Sequence, residues 1–333
     1  MSLNTFIIKI IIFIFLIFFE IVFSQEKNIA SDYARTITAK ELMENLYVYS
    51  SDYFQGRETG TVGQKRAVDF LKNFYISAGI TSADGTDNYL QPMKLEINGK
   101  TVQTENVVSI IKGSQFPNEY IIISAHLDHI GIDKDGQINN GADDDGTGNV
   151  ALLEMAEGFN HAVNDGNGPK RSLIFLHVTG EEKGLLGSKF YTENPLYPIN
   201  KTVANLNIDM IGRVNPKRKT NDANYIYLIG SDRLSQELHD ISENINDKYT
   251  QLELDYTYND KNDPNRFYYR SDHYNFAKRN IPVIFYFNGT HEDYHRPTDT
   301  ADKINYTILE KRTKLIFHTA WELANRKNRI KLN

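Results

Sequence analysis

Tyr120-Ile-Ile-Ile-Ser-Ala-His-Leu-Asp128, followed by Gly141-Ala-Asp-Asp-Asp-Gly-Thr-Gly-Asn149, carries the reading of this chain. The first stretch is an apolar run that ends in a histidine and an aspartate. The second sets three consecutive aspartates in a glycine-rich loop, where like charges repel and helix and strand propensities are poor. Such a loop makes sense around a cation, so the question is which other residues share it.

Three more apolar runs have the same form: Ser172-Leu-Ile-Phe-Leu-His-Val-Thr179, Val203-Ala-Asn-Leu-Asn-Ile208 and Ile281-Pro-Val-Ile-Phe-Tyr-Phe287. Continuous rather than alternating apolar character reads as strands buried on both faces. Each of the four runs is followed by metal-capable side chains: His126 and Asp128; Glu181 and Glu182; Asp209; His291 and His295. In open α/β sheets ligands bind beyond the carboxyl ends of the strands, so the four clusters are expected on one rim. A fifth run, Tyr225-Ile-Tyr-Leu-Ile229, is expected to extend the sheet away from the site. Helical spacing appears over 39–49, 61–75, 147–159 and 305–324; in the second, Ala67, Phe70, Leu71 and Phe74 share one face. The expected fold class is α/β: a three-layer α/β/α domain around a central mixed, mostly parallel sheet, spanning 25–333 without an inserted accessory domain.

Bulk properties narrow the function. The chain of 333 residues has a net charge of -6 and no basic excess, which argues against nucleic acid as a partner. Lys9 precedes Ile10-Ile-Ile-Phe-Ile-Phe-Leu-Ile-Phe-Phe19, and Val22-Phe-Ser24 follows Glu20; this reads as a secretory signal peptide cleaved near Ser24. A retained membrane anchor is the alternative, since the apolar stretch approaches the ~20 residues needed to span a bilayer. Either way the bulk of the protein is expected to be exported, secreted or periplasmic. There is no cysteine, so neither disulfides nor an N-terminal lipid-modified cysteine contributes.

A set of His, Asp, Glu, Asp and His suits zinc or a similar divalent ion. Five such ligands exceed one tetrahedral zinc but fit two divalent metal ions if one carboxylate bridges them. The aspartate loop is the natural bridge, because its glycines let the backbone approach closely.

At this point the sequence resembles a known family. His126-Leu-Asp128, Gly141-Ala-Asp-Asp-Asp-Gly-Thr-Gly148, Thr179-Gly-Glu-Glu182, Asn207-Ile-Asp-Met210 and Tyr294-His-Arg-Pro-Thr-Asp299 follow the order and spacing of the zinc aminopeptidases of metallopeptidase family twenty-eight. The similarity runs from about Ser51-Asp-Tyr-Phe-Gln-Gly-Arg57 to the C-terminal helix. The resemblance implies a phosphorylase/hydrolase-like zinc exopeptidase architecture and specific roles. Asp144 would bridge two zinc ions; His126 and Asp209 would complete one site, Glu182 and His295 the other. Glu181 would be the general base acting on a water held between the metals. Asp128 would stand behind His126 and fix its ring. Tyr294 would hydrogen-bond the developing oxyanion, Arg270-Ser-Asp-His-Tyr-Asn-Phe276 would line the cleft, and the peptide bond after Asp144 would be cis.

Other residues receive plainer readings. Asp143 and Asp145 are expected to cap or brace the loop rather than bind metal. His177 lies in an apolar run and is expected to pack in the core; His129 and His291 are expected near the site but not as ligands. Pro216-Lys-Arg-Lys219 and Asp133-Lys-Asp-Gly-Gln-Ile-Asn139 read as ordinary turns. Phe267, Tyr268, Phe285, Tyr286 and Tyr294 are candidates for an apolar pocket. The expected activity is hydrolysis of peptides with a free N-terminus. Glutaminyl-peptide cyclotransferase, with one zinc, is the alternative; an acidic-residue carboxypeptidase and a non-enzymatic relative fit less well, the first for want of an accessory domain, the second because no ligand is lost.

Overall fold

The computed structural model describes residues 29–220 and 222–333. The expected signal segment, 1–24, lies outside the described residues.

Helix α1 (Ala39–Tyr49) starts where Thr38 accepts the amide of Glu41, and α2 (Val62–Ser77) starts where Thr61 accepts that of Gln64. Both caps satisfy amides that the first helical turn leaves unpaired. Strands β1 (Thr81–Ser82), β2 (Leu90–Ile97) and β3 (Lys100–Ile111) come next, with β1 and β2 antiparallel to β3. Sequence reading passed over these three, although the signal is present. Met93 and Leu95 alternate with exposed neighbours, and Asn98-Gly99, both at positive φ, closes the β2–β3 hairpin.

The centre of the sheet is β5 (Arg171–Val178), β4 (Phe116–His126), β6 (Thr202–Ile208) and β9 (Val283–Phe287), all parallel. These are the four apolar runs. The flanks reverse direction: β3 pairs antiparallel with β5, and β7 (Tyr225–Ile229) pairs antiparallel with β9, with β8 (Glu253–Asp255) outside it. The sheet is mixed, with its parallel pairing concentrated in the centre.

Helices cover both faces. Ile121, Ile123 and Ala125 of β4 join a core with Leu42 and Leu46 of α1, Leu71 of α2, Phe159 of α3 (Gly148–Asn164) and Phe317 of the C-terminal helix, Tyr306–Asn325. Ile122 faces the other side, with Tyr191 of α4 (Leu186–Glu193) and, beyond a helix over Gln236–Ile245, Phe276 of the short helix His273–Ala277. Burial on both faces is why these strands read as unbroken apolar runs; each such side chain contributes roughly 1.5–3 kcal/mol.

Candidate metal centre

The four parallel strands deliver the chemistry to one edge. His126 is the last residue of β4, Asp209 follows β6 directly, Glu181 and Glu182 follow β5, and His295 lies in the loop after β9. Because these strands are adjacent and run the same way, their carboxyl ends share a rim.

Asp144 stands between two groups of donors. Its Oδ1 is 3.1 Å from His126 Nε2, which is 3.6 Å from Asp209 Oδ1. Its Oδ2 is 3.1 Å from His295 Nε2, which is 3.2 Å from Glu182 Oε1. The two oxygens of one carboxylate thus face different groups, the arrangement a bridging ligand needs. The structure therefore brings together all five side chains named from sequence, and the Asp144–Asp145 peptide is cis.

His129 joins them unexpectedly, its Nδ1 2.9 Å from Glu182 Oε1. Asp144 Oδ2, Glu182 Oε1, His295 Nε2 and both ring nitrogens of His129 are buried and lack an aligned hydrogen-bond partner. Burying so many polar atoms unpaired costs several kcal/mol. A divalent cation accepting the lone pairs of the two oxygens and of one nitrogen from each ring removes most of that cost, and nitrogen with carboxylate oxygen is a donor set zinc takes.

The electrostatics point the same way. Burial opposes ionisation of Asp144, yet His129, His126 and His295 hold its carboxyl well below the usual range. Burial and Asp144 work against Glu182, but His129 and His295 draw it down to about 2. Burial disfavours the charged ring of His295, while Asp144 and Glu182 raise its pKa to about 10. Carboxylates this ready to ionise, beside imidazoles this attracted to a positive charge, would exchange protons for a metal. Glu181 differs: burial, with Glu182, Asp209 and Asp272, outweighs His126 and pushes its pKa well up.

A layer of hydrogen bonds sets these side chains. His126 Nδ1 lies 3.0 Å from the backbone oxygen of Asp128, whereas the Asp128 carboxylate stays 4.0 Å away. A carbonyl only accepts, so Nδ1 carries the hydrogen and Nε2 has its lone pair free for a cation held with the carboxylates. The main chain of Asp128, and not its side chain as expected, therefore fixes the ring. The carboxylate instead accepts from Thr59 Oγ1 at 2.9 Å and from the amide of Glu181 at 3.1 Å. Ser271 Oγ donates to Asp209 Oδ2 at 2.7 Å, leaving Oδ1 turned to His126. Asp145 accepts the amides of His126, Gly148 and Met210, and Asp143 accepts that of Gly212 and contacts His291. Both act as braces, and His291 stays outside the donor groups.

Arg57 is the support that sequence reading left without a role. Fully buried, it donates to the carbonyls of Leu127, Tyr49, Asn140, Gly141 and Asp144. It comes this close because Gly56 has φ +67° and space for no side chain; a Cβ there would lie 2.5 Å from two carbonyl oxygens.

The donors open onto a cleft lined by Met210, Phe267, Arg270, Phe285, Phe287 and Tyr294. Tyr294 stacks on His295 with ring centroids 3.9 Å apart, and burial together with Asp144 and Glu182 raises its pKa strongly, so the hydroxyl keeps its proton. Two expected pocket residues lie elsewhere. Successive side chains of a strand alternate faces, so Phe285 and Phe287 reach the cleft while Tyr286 enters the opposite core. Tyr268 lies under Arg233 in a separate surface groove. The turn at 216–219 is exposed as expected except at Arg218, whose side chain lies on the Tyr225 ring and pairs with Glu253 and Asp255.

Two donor groups at the strand ends of an α/β sheet, sharing one carboxylate, form a candidate metal centre. The chain belongs to peptidase family M28, whose model matches residues 106–320. It is similar to leupeptin-inactivating enzyme 1 of Streptomyces exfoliatus, 26% identical over 306 residues that cover 86% of this chain and 61% of that protein. It is also similar to a probable leucine aminopeptidase of Arthroderma otae, 26% identical, with 77% of this chain and 70% of that protein covered. The chain thus spans somewhat under two thirds of the first of these relatives. Among solved structures, the LapA aminopeptidase of Legionella pneumophila superposes with a TM-score of 0.69 at 22% identity, covering 91% of this chain and 76% of that one. Glutaminyl cyclase of Porphyromonas gingivalis gives 0.66 at 16% identity, covering 85% and 97%. At these identities the likeness shows the fold alone.

Proposed function

We propose that this protein is an exported aminopeptidase that hydrolyses the N-terminal peptide bond of peptides with two divalent cations, zinc in the first instance. The observation that carries the reading is the position of Asp144, with one oxygen beside His126 and Asp209 and the other beside Glu182 and His295. Cations held by these residues supply Lewis-acid polarisation of a carbonyl and acidify a water. Glu181, at the same rim and with a raised proton affinity, takes the proton of the attacking water and returns it to the departing amine. Tyr294 keeps its hydroxyl hydrogen and donates it to the carbonyl oxygen as negative charge develops there. Thr59 and the Asp128 carboxylate hold the Thr179–Glu181 turn against β4, which fixes Glu181 relative to His126.

Segment 1–24 as a cleaved leader and 25–333 as one catalytic unit belong to the same reading. Among the described residues no helix is long and apolar enough to cross a membrane. The family membership and the names of the relatives support peptidase action, and two donor groups sharing one carboxylate favour it over a one-zinc cyclotransferase.

A panel of peptides with free and acetylated N-termini tests the proposal. Stepwise release of N-terminal residues from the free peptides alone is expected. Equal cleavage of acetylated peptides removes the aminopeptidase assignment, and pyroglutamate formation from N-terminal glutamine without hydrolysis installs the cyclotransferase.

A further inference from the structure

We infer that His129 is a fourth protein ligand of the metal position between Asp144 and Glu182, making that position closed and leaving the one at His126 and Asp209 open. The inference rests on the two-cation reading above.

Both imidazoles reach the same two carboxylate oxygens. His129 Nδ1 lies 2.9 Å from Glu182 Oε1 and 3.7 Å from Asp144 Oδ2. His295 Nε2 lies 3.2 and 3.1 Å from the same two oxygens. A tetrahedral zinc with bonds of about 2.0–2.1 Å separates its ligand atoms by roughly 3.3 Å, and the four separations straddle that value.

Two other roles fit less well. A buried imidazole that merely packs still satisfies its nitrogens. His177 does so, with Tyr75 on Nε2 and Asn149 on Nδ1, whereas neither nitrogen of His129 has an aligned partner. A substrate contact needs exposure, and His129 is fully buried and absent from the cleft lining. Its ring is held in place: it meets His295 edge-on with centroids 5.6 Å apart, and a Cβ at Gly141 would fall 2.6 Å from it.

The other position has three ligand side chains, His126, Asp144 and Asp209; the cleft is lined by these, by Glu181 and by His295 of the first position. Closed four-ligand sites hold zinc structurally, whereas catalytic sites keep a place free. With four protein ligands against three, the His129 position would be the tighter of the two.

Full-length protein stripped with a chelator and titrated with Zn2+ against a chromophoric competitor tests this, with X-ray absorption counting imidazoles. At one equivalent the zinc is expected to carry two imidazoles, and at two equivalents an average of about one and a half. His129→Ala should weaken the tighter site on the order of 100-fold or more, beyond what outer-layer changes cause, and leave the weaker site alone. His126→Ala should do the reverse. One imidazole per zinc at both loadings, or unchanged constants in a folded His129→Ala, overturns the inference while leaving the two-cation reading intact. Absence of zinc binding by the wild type, or indifference to both His126→Ala and Asp144→Asn, overturns that reading as well. If His129→Ala does not fold, the imidazole count on the wild type decides alone.

Discussion

Arg57 Nη2 donates to the carbonyl oxygen of Gly141 at 2.9 Å, so a residue near the start of the described chain holds the entrance of the aspartate loop. The same guanidinium reaches Leu127, Asn140 and Asp144, tying the end of β4 to both sides of that loop. Arg57→Ala leaves several buried carbonyls unpaired and is expected to destabilise by more than about 3 kcal/mol. Arg57→Lys, with one ammonium in place of a planar fork, should recover only part of this. Urea midpoints of the two variants against wild type measure it; equal midpoints remove Arg57 as the clamp.

Glu181→Gln keeps the shape of the side chain but cannot take a proton. Turnover should fall by about 10²–10⁴-fold or more, while zinc content stays at the wild-type level. Loss of zinc along with activity would instead make Glu181 a ligand.

Tyr294→Phe removes one donor to the developing oxyanion and leaves the ring stacked on His295. A drop in kcat of up to about 10²–10³-fold with little change in KM is expected. A change confined to KM would assign Tyr294 to substrate packing.

His177 supplies a pH test of the support layer. Burial lowers its pKa to about 3, so the ring held between Tyr75 and Asn149 is the neutral one. The unfolded state, with an ordinary histidine pKa near ~6.5, binds a proton that the folded state refuses. The contribution of this residue is therefore intact above about pH 6.5 and is lost progressively as pH falls towards 3. His177→Gln removes this dependence, so its stability should fall less steeply with acid, by up to roughly 1.4 kcal/mol per pH unit. Urea unfolding of both proteins between pH 7 and pH 4, at matched zinc, reads the difference in slope.

Metal removal should act on stability as well as activity. Without cations, Asp144, Glu182, Asp209 and Glu181 crowd one rim, and one oxygen each of Asp144 and Glu182 lacks a partner. A ligand present at a thousand times its dissociation constant stabilises by about 4 kcal/mol. Chelator-treated protein should therefore melt several degrees lower, with the midpoint and activity both restored by Zn2+. An unchanged midpoint would mean that the donors do not hold a cation in the folded state.

Much of this centre was legible because the relevant physics is local. A parallel strand buried on both faces must read as an apolar run, and a site at its carboxyl end must read as polar residues just after it. That is why His126, Glu181, Glu182 and Asp209 stood out, and why the glycine-flanked aspartates marked their loop, within which the family resemblance pointed to Asp144. The antiparallel flank β1–β3 was missed despite Asn98-Gly99, because an alternating, half-exposed strand carries a weaker signal than a continuous apolar run.

What sequence alone determined, then, was the central sheet and the chemical types gathered at its rim. What tertiary structure decided was which atoms meet. The carbonyl rather than the carboxylate of Asp128 holds His126, because the chain turns its side chain towards Thr59 and Glu181. Arg57 clamps loops that follow it by 70 residues or more, and Ser271 sets Asp209 from 62 residues away. His129 comes to Glu182 through packing between separate strand ends. Hydrogen bonds and metal geometry depend on positions to a few tenths of an ångström, and only the folded chain fixes those between segments this distant in sequence.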